Sequence, residues 1–167
     1  MKNILVIGAA GQIGSELVPY LRNIYGDSHV VATYNHTPLP QELMETGPSA
    51  KVNATEGTAL NDVVRKHNID TIFNLVAVLS AKGEANPANS WKINMDTTFN
   101  CLEIMKEVKG ALFTPSSIGA FGPTTPLDNT PQDTIMRPTT IYGISKVAGE
   151  LLGDYYYLKY GVDARGL

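Results

Sequence analysis

The chain has 167 residues, enough for one domain with a sizeable core, and its 43% apolar and 17% charged content is that of a soluble globular protein. A formal net charge of −3 gives no electrostatic case for nucleic acid or an anionic membrane surface, and no apolar run is long enough to span a bilayer. The one cysteine, Cys101, excludes an internal disulfide and predicts a reducing, cytoplasmic setting; between Phe99 and Leu102 in a helical pattern it reads as a core residue.

Residues 2–7 form a short, nearly continuous apolar run, the pattern of a strand buried on both faces of a parallel sheet. A strand starting at Lys2 leaves no room for a presequence. Gly8-Ala9-Ala10-Gly11-Gln12-Ile13-Gly14 follows at once, and Ile13, Leu17 and Leu21 continue at helical spacing. Strand, glycine turn and helix in that order are what a dinucleotide's pyrophosphate needs. Glycine permits the turn and the close approach of backbone, and the helix N-terminus offers free N–H groups and a positive dipole end.

A second strand is predicted over 29–33, followed by Tyr34 where dinucleotide-binding folds often carry an acidic residue for the ribose hydroxyls. Residues 39–48 read as a proline-broken loop, 51–53 as a brief third strand, and 58–67 as a helix with Leu60, Val63 and Val64 inward. Residues 71–77 form the fourth strand. The stretch 79–84 leaves its C-terminal edge, where open α/β sheets bind ligands, so Ser80 is either a substrate contact or a plain loop serine. A long helix is predicted over 87–108, with Trp91, Met95, Phe99, Leu102 and Met105 as its mostly core-facing stripe.

The fifth strand, 111–114, ends at the hydroxyl pair Ser116-Ser117. The proline-rich stretch 118–141 is a functional loop by its length. It leads into a helix over 142–160, with Ile144, Val147, Ala148, Leu151, Leu152 and Tyr155 as the apolar face. A sixth strand is expected to start at 163. Strands alternating with helices predict an α/β, Rossmann-like, doubly wound parallel sheet. The glycine turn, Ser117, Tyr142 and Lys146 should gather at its C-terminal edge.

Tyr142 and Lys146 stand one helical turn apart on one face. A neighbouring ammonium favours a phenolate, and a phenolate can take a proton from an alcohol. Tyr155 and Lys159 repeat the spacing further down the same helix. Only Tyr142 follows a long loop that begins at a hydroxyl pair, so the first pair is the candidate. No His/Cys/carboxylate cluster has metal-ligand spacing.

These residues resemble the extended short-chain dehydrogenase/reductase family: the Gly8-to-Gly14 turn, Ser117, and Tyr142-Gly143-Ile144-Ser145-Lys146. More narrowly, residues 79–84, 115–126 and 142–146 resemble the short-chain type of L-threonine 3-dehydrogenases. The likeness covers essentially the whole chain. It implies NAD-dependent oxidation of L-threonine to 2-amino-3-ketobutyrate, with hydride passing from the carbinol carbon to the nicotinamide.

On that resemblance Tyr142 is the general base, Lys146 favours its phenolate and holds the nicotinamide ribose, and Ser117 hydrogen-bonds the reacting oxygen. Ser80 contacts the substrate. Gly8, Gly11, Gln12 and Ile13 line the pyrophosphate, Asn53 lies near the adenine, and Leu75, Ala77 and Tyr34 border the nucleotide. Asn94 supports the lysine. NAD is implied, with NADP left open by the missing carboxylate at position 34. A homodimer is implied, and neither nucleic acid nor a membrane is a partner. The family continues past residue 167, so residues 1–167 are expected to be a dinucleotide-binding domain, with a substrate-binding part to follow. Two other readings share these residues: a nucleotide-sugar epimerase or reductase of the same extended family, and a nucleotide-binding regulator without turnover.

Overall fold

The structure, a computed structural model, describes residues 2–167. Six parallel strands form one sheet in the order β3-β2-β1-β4-β5-β6. They are β1 (Ile4–Ile7), β2 (Val30–Tyr34), β3 (Ser49–Lys51), β4 (Thr71–Asn74), β5 (Ala111–Phe113) and β6 (Asp163–Arg165). The helices are α1 (Gln12–Tyr25), α2 (Gln41–Glu45), α3 (Gly57–Lys66), α4 (Ser80–Ala85), α5 (Pro87–Val108) and α6 (Ile141–Tyr160). This is the doubly wound architecture the sequence predicts, and its strand order reverses between β1 and β4.

Alternation along β1 builds both core layers. Leu5 and Ile7 point into one layer with Val31, Leu60, Ile72, Leu102 and Met105. Ile4 and Val6 point into the other with Val18, Leu21, Val30, Ala32 and Leu43. All four β1 side chains are buried, each contributing about 1.5–3 kcal/mol. Cys101 is buried in the first layer, as expected, and burial pushes its thiol pKa up.

Several local readings need correction. The proline-broken loop contains α2, which starts just after Pro40 and buries Leu43, while Leu39 packs beside it. The third strand lies at Ser49–Lys51, two residues early, because its register is set by Ala32↔Ser49 and Tyr34↔Lys51. Strand β4 stops at Asn74, after which only Leu75 N–H still reaches Ile7 O, at 3.0 Å. The stretch after Leu79 is a helix, not a loop.

The two long helices are rotated from the predicted faces. On α5, Ser90, Asn94, Thr97, Thr98 and Cys101 face inward with Leu102 and Met105, while Trp91 and Phe99 are exposed. On α6, Gly143, Ser145 and Tyr156 are buried, while Ile144, Leu151 and Tyr155 are exposed. Small and polar residues line the α5–α6 contact because the helices pack on each other as well as on the sheet. Trp91, Phe99, Ile144, Leu151 and Tyr155 are left outside.

Candidate active site

The glycine turn lies at the point where the strand order reverses. Gly8 adopts φ +83°, which favours glycine. Ala9 N–H donates to Thr33 O and Gly11 N–H to Gly8 O, both at 3.0 Å. A Cβ on Gly14 would stand 2.4 Å from Gly8 O and 2.6 Å from Ala9 Cα, so α1 meets the turn at backbone contact. No side chain caps α1 at Gly11, and its first turn carries no acidic residue. The leading N–H groups and positive dipole end therefore remain for an anion. This cradle fits a pyrophosphate. Gln12 and Ile13 are exposed beside it, and Leu75 and Ala77 lie just past the end of β4.

Tyr34 closes β2 half-buried. Asn53 follows β3 and is occupied locally: it donates to Glu56 Oε1 at 3.0 Å and accepts from Thr55 N–H at 3.2 Å. Both lie on the β2–β3 side of the turn.

Past β5 the chain turns at Pro115-Ser116-Ser117 into a short 3-10 turn, Ile118–Ala120, which Ser117 caps by accepting Gly119 N–H at 3.1 Å. Helix α6 starts with Thr140 accepting Gly143 N–H at 3.0 Å. The two starts are pressed together: a Cβ on Gly143 would lie 2.0 Å from Gly119 O. A Cβ on Gly119 would lie 3.4 Å from both Ser117 Oγ and the Tyr142 ring edge. The serine hydroxyl and the edge of the tyrosine ring therefore both border Gly119.

Lys146, one turn further on, donates from Nζ to Pro115 O at 2.7 Å and sits 5.5 Å from the Tyr142 ring centroid. Burial pushes its ammonium pKa down, and the Glu150 carboxylate opposes that shift. A cavity of about 670 Å³ opens between β5, β6 and α6, with Ser117, Lys146 and Glu150 on its wall.

Asn94 ties the elements together. Its Oδ1 accepts Val78 N–H at 2.7 Å, and its Nδ2 donates to Val78 O at 3.3 Å and to Ser145 Oγ at 3.1 Å. Ser145 in turn donates to Tyr142 O at 2.7 Å. Ser80 is the exposed first residue of α4. That helix is joined to α6 by Glu84, whose carboxylate accepts Ile141 N–H at 2.8 Å.

The structure thus gathers Ser117, Tyr142 and Lys146. It attaches Ser80 through α4 and spreads Gly8, Tyr34 and Asn53 along the same sheet edge. Sequence reading named Ser116 only as half of a hydroxyl pair, and it missed the Pro115 carbonyl, Ser145, Glu84 and Glu150. Only Glu150 left a signal, its i,i+4 spacing from Lys146. Among the described residues no group of His, Cys, Asp or Glu is arranged to hold a metal, and no helix is long and apolar enough to cross a membrane.

Comparison with known proteins bears on this geometry. A profile of the NAD dependent epimerase/dehydratase family matches residues 4–167. An uncharacterized epimerase/dehydratase of Staphylococcus saprophyticus is 47% identical over 167 residues, all of this chain and 52% of that protein. The L-threonine dehydrogenase of Clostridium difficile superposes with a TM-score of 0.94 at 46% identity, over 100% of this chain and 52% of that one. A UDP-glucose 4-epimerase of Thermotoga maritima, solved with UDP-glucose, superposes with a TM-score of 0.87 at 25% identity, over 98% of this chain and 54% of that one. The chain spans about half the length of the relatives it matches.

Proposed function

The chain belongs to the NAD dependent epimerase/dehydratase family, and we propose that the protein carrying it is an L-threonine 3-dehydrogenase that uses NAD. The observation that carries this reading is the convergence of Ser117 and Tyr142 on Gly119, with Lys146 one turn behind. It occurs in a chain 46% identical to a threonine dehydrogenase and 25% identical to an epimerase.

In this reading Ser117 donates a hydrogen bond to the substrate oxygen and orients the carbinol. Tyr142 takes the hydroxyl proton, a transfer worth about 10²–10⁴ in rate. An ammonium has three donors, and Pro115 O takes one from Lys146. The other two are left for ribose hydroxyls, and the charge favours the Tyr142 phenolate. The N–H groups at the start of α1 hold the pyrophosphate. Tyr34 borders the adenosine ribose and Asn53 the adenine, while Ser80 on α4 contacts the substrate. Bound NAD supplies the hydride acceptor. Asn94 positions the start of α6 through Ser145.

Trp91 and Phe99 on α5 and Ile144, Leu151 and Tyr155 on α6 are exposed on two helices that pack together, and we assign them to a homodimer contact. The single buried cysteine fits a cytoplasmic setting.

The test is NADH formation by the protein at the length of its relatives, with L-threonine beside a panel of UDP-sugars. Threonine-dependent NADH supports the assignment. Epimerisation of a UDP-sugar without threonine turnover would replace it. Nucleotide binding with no turnover on either panel would point to a regulator.

A further inference from the structure

Glu150 has no place in the chemistry described so far, yet it ties the turn that carries Ser117 to the helix that carries Lys146. It stands one turn beyond Lys146 on α6, half-buried on the cavity wall. Its Oε1 accepts the Ser116 hydroxyl. Ser116 lies between Pro115, whose carbonyl holds Lys146 Nζ at 2.7 Å, and Ser117, whose Oγ caps the next turn. The chain from Thr114 to Ser116 continues the pairing of β5 with β6 and the residues just past it, Thr114 N–H donating to Arg165 O and Ser116 N–H to Leu167 O.

We propose that Glu150 is a positioning residue: its carboxylate clamps Ser116, fixes the Pro115–Ser117 turn against α6, and places a negative charge beside the Lys146 ammonium. The inference rests on Lys146 and Ser117 being the site residues assigned above.

The clamp answers a physical need. A carbonyl oxygen brings no net charge to a half-buried ammonium, whereas a carboxylate one turn away offsets part of the cost of burying it. The other charges on the cavity wall are too few to replace it: Asp154 on α6 and Arg165 on β6, while α5 contributes the neutral Asn94 and Thr98. Tyr142, on the lysine's own helix, presents its ring. The shift of Lys146 agrees, burial lowering it and Glu150 acting in the other direction. The hydrogen bond from Ser116 holds the carboxylate on the turn, one helical turn from the lysine.

The test is read on Lys146 itself, without substrate. Amine acylation at Lys146 is followed by mass spectrometry across pH in the parent, E150Q, E150D and S116A. With E150Q, Lys146 should become reactive at lower pH than in the parent, because the opposing charge is gone while the amide oxygen still accepts from Ser116. E150D should keep the parent's pH dependence. S116A should keep it too, but hydrogen exchange at the Gly119 and Ala120 amides should rise about fivefold as the clamp is lost. An E150Q curve that superimposes on the parent's would overturn the charge role, and unchanged exchange in S116A would overturn the clamp. If E150Q does not fold, the S116A exchange decides. Since neither readout needs turnover, failure of the threonine assignment would leave the result standing.

Discussion

Lys146 and Tyr142 share one turn of α6, yet they do not bond. The Lys146 ammonium reaches the Pro115 carbonyl at 2.7 Å and lies 5.5 Å from the Tyr142 ring centroid. The surface copy of the motif is the one with the direct contact, Lys159 Nζ donating to Tyr155 Oη at 2.8 Å. Proximity of a cation to a phenol therefore does not mark the site; the neighbours do. Tyr142 lies beside Ser117 across Gly119, whereas Tyr155 is exposed. In the protein at the length of its relatives, Tyr142→Phe should lower threonine oxidation by about 10²–10⁴ while nucleotide affinity stays nearly constant. Tyr155→Phe should leave turnover within about twofold. Equal losses in the two variants would refute the assignment of the base.

Asn94 makes three hydrogen bonds that no other side chain duplicates, two to the Val78 backbone and one to Ser145. Asn94→Ala strands partly buried backbone groups at Val78 and should cost about 1–3 kcal/mol. Asn94→Asp keeps an acceptor for Val78 N–H but loses both donors and puts a charge where the parent residue is 6% exposed. Ser145→Ala removes only the bridge to Tyr142 O and should be milder. Thermal melts of the three variants check the order. If Asn94→Ala melts with the parent, the tie between α5, α6 and the end of β4 is not a stabilising one.

Tyr34 ends β2 with its ring packed at the margin of the second core layer, and its carbonyl accepts Val52 N–H at 2.8 Å. A carboxylate there would accept both ribose hydroxyls and repel a 2′-phosphate. Tyr34→Asp should therefore tighten NAD and weaken NADP by severalfold each, at a stability cost of about 1 kcal/mol for the lost ring contacts. Titrating both nucleotides against both proteins tests it. Tighter NADP than NAD binding by the parent would overturn the NAD preference.

The sheet was legible because a run such as Ile4–Ile7 is too short for a buried helix and is punctuated by the glycine turn, which leaves a central parallel strand. The faces of α5 and α6 were not. Hydrophobic periodicity assumes that the largest apolar residues point inward, and here Ser90, Asn94, Thr97 and Ser145 do so while Trp91, Phe99 and Leu151 do not. A helix that packs on another helix and serves a polar site buries small and hydrogen-bonding residues, an arrangement invisible to an amphipathicity count. Ser117, Tyr142 and Lys146 were readable as residue types at a spacing. The Pro115 carbonyl and the Ser116–Glu150 bond were not, since each depends on a contact across more than 30 positions.

The far ends of α5 and α6 carry a second polar cluster, and it predicts how stability depends on pH. Tyr156, 3% exposed, donates its hydroxyl to Glu103, whose other oxygen receives Lys106 Nζ at 2.5 Å. Lys106 also lies 5.0 Å from the Tyr160 ring centroid. The hydrogen bond from Lys106, then that from Tyr156, holds the Glu103 carboxyl below its ordinary value of 4.5. Burial, then the hydrogen bond to Glu103, holds the Tyr156 phenol above its ordinary value of 10.0. As pH falls below 4.5, the unfolded chain takes up a proton at residue 103 before the folded one does, so this contribution to stability is lost on acidification. As pH rises above 10.0, the unfolded chain releases the Tyr156 proton while the folded one keeps it, so stability falls again. Melting temperature measured across pH on this chain should therefore drop at both ends. Glu103→Gln should flatten the acid side and shrink the alkaline one, and Tyr156→Phe should flatten the alkaline side and shrink the acid one, because the two groups share one hydrogen bond. Exposure of the carboxylate, 38% for its side chain, makes the acid effect the smaller one in high salt. Melting curves that run parallel to the parent's at every pH in both variants would show that the cluster packs the helix ends without coupling their stability to protons.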